Sequence, residues 1–227
     1  MPKFTVAVQK PQETELMGGA SFNLKADDYS FEEEFLTPIG AAIVEISATT
    51  DADFIELAKD ADAVIARGRN ITAEIIGGLN NCKIIGCGSV GTDRVDVEAA
   101  TIHGIPVTNV PDVFIEEVAD HTMTLLLAIH RHLYEMRDLM RAGRWTDSHP
   151  YLRSFPRLFG QTLGLIAFGN VAKAVARRAK PFGFHIIAYD PYVSEIEMTS
   201  MGVEPVSFTE LLERADYIPK EPVKKAD

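Results

Sequence analysis

From Phe4 to Val110, short apolar runs alternate with segments of helical period, and no two runs are joined by a tight two-residue turn. FTVAVQ (Phe4 to Gln9), AAIVEI (Ala41 to Ile46), DAVIA ending near Ala66, KIIGCG and PVTNV have the length and the apolar content of strands. Between them, Ser30 with Glu33 forms an S-x-x-E capping box before FEEEFL, and Thr50 with Asp53 opens DADFIELAKD. TAEIIGGL follows, then VDVEAATIHG, which Gly104 stops. Antiparallel neighbours can be joined by a short hairpin, whereas parallel neighbours need a crossover, usually a helix. The alternation therefore predicts an α/β fold, a doubly wound parallel sheet with crossover helices on both faces.

A helical pattern then runs from Ile115 to Ala142, with TMTLLLAI as its apolar stripe and Gly143 as its stop. Its length and its place after VPDV predict a hinge helix, about 115–142, between two units. A second apolar strand, TLGLIAF, opens the second unit's own sheet. The expected organisation is two domains, 1–108 and 109–227. A chain of 227 residues with 46% hydrophobic and 24% charged residues is long enough to bury a core in each. The segment Gly143 to Leu158 carries two prolines and the single tryptophan, Trp145, and is expected to pack against something, a second subunit being one candidate.

The formal charge of -11 argues against a nucleic-acid or anionic-membrane binder, which needs clustered Lys and Arg. Residues 131–180 run the other way, with ten Lys and Arg against three Asp and Glu, a balance of +7 that leaves -18 elsewhere. Either a solvated helix face or a field that attracts a phosphorylated ligand accounts for it. Cys82 and Cys87 have neither CxxC spacing nor a histidine partner, so they read as buried free thiols, and no metal site is expected. Met1 begins almost directly on a strand, without a basic and apolar leader, and no apolar run approaches 18 residues. A reducing cytoplasm is the expected location.

The strand TLGLIAF leads into Ala167-Phe168-Gly169-Asn170-Val171-Ala172, in the place of a G-x-G-x-x-G turn. In that pattern the first glycine makes the tight turn, the second lets backbone approach a pyrophosphate and the third lets helix and strand pack closely. Only Gly169 survives, at the position whose loss blocks the ligand most directly. Alanine is tolerated at the third position; Ala167 at the first costs on the order of 1 kcal/mol if the turn needs a positive φ. The next strand, HIIAYD, ends in Asp190, 21 residues after Gly169, near the spacing of about 20 expected of the acid that bonds the ribose hydroxyls. A carboxylate there repels the extra phosphate of NADP and favours NAD. An aspartate that merely caps a strand end is the structural alternative.

Taken together, KIIGCGSVGTDRVDVEAATIHGIPVTNVPDVFIEEVADHTMTLLLA, RAGRW and TLGLIAFGNVAKAVARRAKPFGFHIIAYDPY resemble the D-isomer-specific 2-hydroxyacid dehydrogenases, and within them a C-terminal-binding-protein-like branch. The resemblance covers nearly the whole chain, is weakest in the first 40 residues, and rests on five separated motifs in the family's order. It implies a flavodoxin-like substrate domain followed by an incomplete Rossmann NAD domain. Backbone N–H groups of Ser89, Val90 and Gly91 would hold the substrate carboxylate, beside a loop of Arg67, Gly68 and Arg69. Asn109 and Thr122 would lie near the nicotinamide, and Asn170 and Val171 would meet the pyrophosphate at a helix N-terminus. A homodimer through the long helix is also implied.

The family supplies its catalytic Arg, Glu and His beyond the point where this sequence turns into PKEPVKKAD, a stretch that reads as a solvated end. No histidine here has an acid at a telling spacing, so no catalytic residue is assigned, and only two convincing strands of the second sheet are expected. The sequence thus predicts an NAD-dependent 2-hydroxyacid dehydrogenase that is incomplete for turnover. The alternative is a non-catalytic, regulatory binder of NAD or a small acid.

Overall fold

The computed structural model describes residues 2–10, 29–154 and 156–219. Two compact units divide the chain, Met1–Val113 and Phe114–Asp227.

In the first unit the elements follow the apolar runs: β1 (Phe4–Gln9), α1 (Ser30–Leu36), β2 (Ala41–Ile46), α2 (Asp51–Ala58), β3 (Ala63–Ile65), α3 (Ala73–Gly78), β4 (Ile84–Gly86), α4 (Val97–Ile102) and β5 (Val107–Thr108). All pairings are parallel and the strand order is β2-β1-β3-β4-β5, the flavodoxin-like doubly wound order. Phe54, Val64, Ile71, Ile75, Ile76 and Ile85, each at most 1% exposed, form its centre. The helix starts come from local chemistry. The Thr50 hydroxyl accepts from Asp53 N–H at 3.1 Å while the Asp53 carboxylate accepts from Thr50 N–H, the expected capping box. The corresponding expectation at Ser30 fails: Ser30 is already inside α1, whose N-cap is Tyr29, with no side-chain cap.

The second unit contains α5 (Ile115–His130), α6 (Leu133–Arg141), α7 (His149–Ser154), β6 (Thr162–Ile166), α8 (Asn170–Ala179), β7 (His185–Tyr189), α9 (Glu195–Ser200), β8 (Glu204–Pro205) and α10 (Phe208–Arg214). The sheet order is β6-β7-β8, again all parallel. That corrects the expectation of two strands. The third, β8, precedes α10, and Tyr217 forms a parallel bridge with Leu163 on the other edge of β6, starting a fourth position. A two-residue strand containing proline carries too little apolar pattern to be read from sequence. The polar stretch from Lys220 onward lies outside the described residues.

The expected 115–142 helix is two helices. α5 ends at His130 and α6 restarts after His132, which adopts φ 48° and ψ 45°. Neither glycine nor proline marks the break. His130 is only 6% exposed, with its Nδ1 2.7 Å from the Tyr217 hydroxyl, so tertiary anchoring of the last turn ends the helix. Trp145, expected to bury, is 49% exposed in this chain.

α8 packs along α5, with Ala119 and Met123 facing the core that Leu163, Leu165, Phe168, Val175 and Ile186 share. Outside this seam Arg177 and Arg178 pair with Glu116, and Arg178 with Asp120, at 2.6 to 2.7 Å. Two of the ten cations of residues 131–180 are matched this way by acids outside that stretch.

Gly164 lies mid-strand in β6 where α10 crosses. A Cβ there would sit 2.7 Å from Ala215 Cβ and 3.1 Å from Leu211. Gly164→Ala is expected to destabilise the second unit by about 1 to 3 kcal/mol through overpacking, read as a lower urea midpoint.

Candidate functional site

Ligands of open α/β sheets bind beyond the carboxyl ends of the strands. Within its own unit, each expected binding loop leaves such an end. Arg67–Arg69 follows β3, Ser89–Gly91 follows β4, Ala167–Gly169 follows β6 and Asp190 follows β7.

The turn after β6 is the most informative. Ala167 has φ 74°, so the first position of the turn does need the left-handed region, and an alanine is held there. Its side chain is exposed and gains nothing from packing. Ala167→Gly is expected to raise stability by about 1 kcal/mol, measured by urea denaturation, because a methyl group in this region is a steric cost that glycine lacks. Gly169 is different. Its φ of -75° suits any residue, and a Cβ built on it meets no atom within 4 Å. The fold has no need of glycine at Gly169. A ligand that approached the backbone there would need it.

Gly169 is the N-cap of α8 and makes no side-chain cap. Lys173 N–H bonds the Gly169 carbonyl at 2.9 Å, and the N–H groups of Asn170, Val171 and Ala172 precede that first intrahelical bond. Unpaired N–H groups and the helix dipole make this end favourable for an anion.

Asp190 reaches back to the turn. Its Oδ2 accepts from Phe168 N–H at 2.7 Å, and its Oδ1 accepts from Tyr192 N–H at 2.7 Å and Val193 N–H at 3.2 Å. Burial, the largest single influence, pushes its carboxyl up. The three N–H donors and the Lys173 charge together outweigh it, and the group is held below the usual carboxylate range. A carboxylate offers about four acceptor positions, so one remains for a hydroxyl. Asp190 is therefore a clasp on the turn as well as a candidate ribose ligand, a double use that spacing alone does not reveal.

In the first unit Arg69 is 12% exposed at its side chain. It donates to Asp51 at 2.5 Å, to the Ala48 carbonyl at 2.9 Å and to Gln9 at 3.2 Å. This tripod anchors the loop after β3. Arg67 lies nearer solvent, 3.7 Å from Glu32 and over the Tyr29 ring, with Gly68 between them at φ 72°. In the loop after β4, Ser89 and Val90 are exposed. Asn109 Nδ2 donates to the Val90 carbonyl at 2.7 Å, so this side-chain donor is engaged inside the first unit. In the second unit Thr122 donates to the Val118 carbonyl and lines an apolar cavity of about 240 Å3 with Leu125, Leu126, Ile129, Tyr217 and Ile218.

One histidine gains an acid partner through the fold, not through sequence spacing. His185 Nε2 lies 2.6 Å from Glu204, and Arg214 holds the same carboxylate in a two-point grip at 2.8 and 2.9 Å. His185 and Glu204 are 19 positions apart and meet through the β7-β8 pairing, while Arg214, 10 positions after Glu204, reaches it from the end of α10. His185 starts β7 and Asp190 follows its end, roughly 16 Å away at about 3.3 Å per strand residue, so the cluster sits at the wrong end for a ligand. It braces the sheet. Arg214 first, and His185 second, hold the Glu204 carboxyl at about 2. A depressed carboxylate stabilises above its unfolded value and loses that contribution as pH falls from about 4.5 towards 2. Glu204→Gln is expected to lower stability at pH 7 by about 1 kcal/mol, solvent screening included, with the difference closing near pH 2 in urea titrations.

Cys87 is buried and Cys82 half-buried, both as free thiols. Among the described residues no helix is long and apolar enough to cross a membrane.

Several known proteins resemble this chain in sequence or in fold. A D-3-phosphoglycerate dehydrogenase of Methanocaldococcus jannaschii is 38% identical over 187 residues, 82% of this chain and 35% of that protein. A glyoxylate reductase of Korarchaeum cryptofilum is 38% identical over 166 residues, 72% of this chain and 50% of that protein. The chain thus spans about a third to a half of the length of these curated relatives. Among solved structures, apo D-mandelate dehydrogenase of Rhodotorula graminis superposes with a TM-score of 0.76 at 21% identity, covering 99% of this chain and 67% of that one. D-lactate dehydrogenase of Aquifex aeolicus, solved with NAD and lactic acid, gives 0.71 at 23% identity, covering 94% of this chain and 59% of that one. At these identities the two superpositions speak for the fold. The family model of the D-isomer specific 2-hydroxyacid dehydrogenase catalytic domain matches residues 24–214, and with these relatives it establishes that the chain belongs to the D-isomer-specific 2-hydroxyacid dehydrogenases.

Proposed function

We propose that this chain is the binding part of an NAD-dependent 2-hydroxyacid dehydrogenase, the first unit, Met1–Val113, receiving a small 2-hydroxy or 2-oxo acid and the second, Phe114–Asp227, receiving NAD. The observation that carries the reading is Gly169, a glycine at an ordinary φ with open space where its Cβ would be, at the N-terminus of α8. A pyrophosphate would lie against Gly169, Asn170 and Val171, with Ala167 shaping the turn. Asp190 would take a ribose hydroxyl at its remaining acceptor position and exclude a 2′-phosphate by charge. Thr122 is the candidate nearest the nicotinamide. In the other domain the main-chain donors of Ser89, Val90 and Gly91 suit a carboxylate, flanked by Arg67, Gly68 and Arg69.

When bound, NAD supplies the hydride acceptor; the chemistry also needs a base for the hydroxyl proton and a cation for the carbonyl oxygen. His130 is tied to Tyr217 and His185 to Glu204, so neither is offered as that base. The non-catalytic, regulatory reading uses the same loops. We further propose a homodimer in a reducing cytoplasm, supported by the exposed Ile129, Leu133, Tyr134 and Met140 of α5 and α6.

NADH mixed with the purified chain and a panel of 2-oxo acids decides between these readings. Enhanced nicotinamide fluorescence without loss of absorbance is expected. Consumption of NADH overturns the binding-only reading, and absence of any binding overturns both.

A further inference from the structure

We propose that Asn109 is a positioning residue that locks the Val90–Gly91 peptide, so that Gly91 N–H faces an incoming carboxylate; the proposal rests on the carboxylate reading of this loop. Three successive carbonyls after β4 are each engaged by a donor of the same unit. Val110 N–H bonds the Ser89 carbonyl at 3.2 Å, Asn109 Nδ2 bonds the Val90 carbonyl at 2.7 Å, and the Ser89 hydroxyl bonds the Gly91 carbonyl at 2.7 Å. Among the described residues, the N–H groups of Gly88, Ser89, Val90 and Gly91 donate to nothing.

A trans peptide is planar, and its C=O and N–H point in opposite directions. Fixing the carbonyl of residue 90 therefore aims the N–H of residue 91 away from Asn109. This plane is the one most in need of a lock, because the residue after it is glycine, whose backbone turns freely without a Cβ. Val90 is 49% exposed, so no packing of its side chain holds the plane. Asn109 has the chemistry for the task. Its amide donates, where an aspartate of the same shape would set a carboxylate against a carbonyl oxygen.

The test is a backbone 15N spectrum of the whole chain, titrated with glyoxylate and separately with NADH. In the parent, glyoxylate should shift the Val90 and Gly91 amides. In Asn109→Ala the free-state Gly91 amide should move, its order parameter should fall from about 0.85 towards about 0.6, and glyoxylate should bind about five- to tenfold more weakly, the size of one lost hydrogen bond. The NADH titration of the same variant reads the cofactor loops separately from the carboxylate loop. Asn109→Asp should lose more, and Asn109→Gln, which keeps the donor, should recover part of the affinity. A Gly91 amide indifferent to Asn109→Ala, or equal glyoxylate affinity in parent and variant, overturns the proposal. If the parent takes up no glyoxylate, the carboxylate reading fails on its own. The Gly91 amide still judges the lock, its loosening in the alanine variant upholding it and its constancy overturning it.

Discussion

Gly169→Ala is expected to weaken NADH binding by about a hundredfold while shifting the melting temperature by no more than about 4 °C. The two expectations come from one geometry. Within the protein the added methyl meets nothing inside 4 Å, and the φ of -75° is comfortable for alanine. The remaining effect on folding is the poorer N-cap preference of alanine, about 1 kcal/mol or less. Towards a pyrophosphate the methyl occupies the approach itself and pushes the phosphates off the first N–H groups of α8. Losing one or two charge-assisted hydrogen bonds of about 1.5 to 3 kcal/mol each gives the hundredfold figure. Fluorescence titration and thermal melts on the same samples check both halves. A variant that melts far below the parent would show that the fold itself needs this glycine.

Asp190→Ala should damage both stability and binding. Its carboxylate accepts from Phe168, Tyr192 and Val193 N–H, so truncation releases the turn before α8 and the loop after β7 together. With water able to replace part of each bond, a loss of about 2 to 4 kcal/mol is expected. Asp190→Asn should not rescue it, because the amide nitrogen would face an N–H donor on one side or the other. The carboxyl is held below its ordinary range, so its contribution is complete above the unfolded value near 3.8 and is lost as pH falls through the folded one. Urea midpoints of parent and variant should accordingly differ at pH 7 and draw together as pH falls below 3.8. The surviving affinity should also discriminate less between NADH and NADPH, since the repelling charge has gone.

The first unit was largely legible because each strand is a self-contained apolar run and the helices carry their own start and stop signals, as at Thr50, Asp53 and Gly104. Legibility failed where a tertiary contact decides. The break at His132 follows from burial of His130 against Tyr217, 87 residues away, and leaves no local mark. β8 is two residues long, and the Ser30 capping box satisfied a pattern that the chain entry through Tyr29 does not use. At the candidate site the turn pattern pointed to Gly169 and Asp190, and the positive φ foreseen for the first turn position is present at Ala167. The anchoring of Arg69 by Asp51, Ala48 and Gln9, and the tie from Asn109 to Val90, were invisible in sequence because their partners lie up to 60 residues apart.

The central claim is that the Gly169 turn and the Asp190 carboxylate hold NAD. Calorimetric titration of the chain with NADH and with NADPH tests it most directly. Saturable heat at one site per chain is predicted for NADH, with NADPH weaker by about tenfold or more because its 2′-phosphate faces Asp190. No heat with NADH at millimolar concentration, from a sample that melts cooperatively, would contradict it.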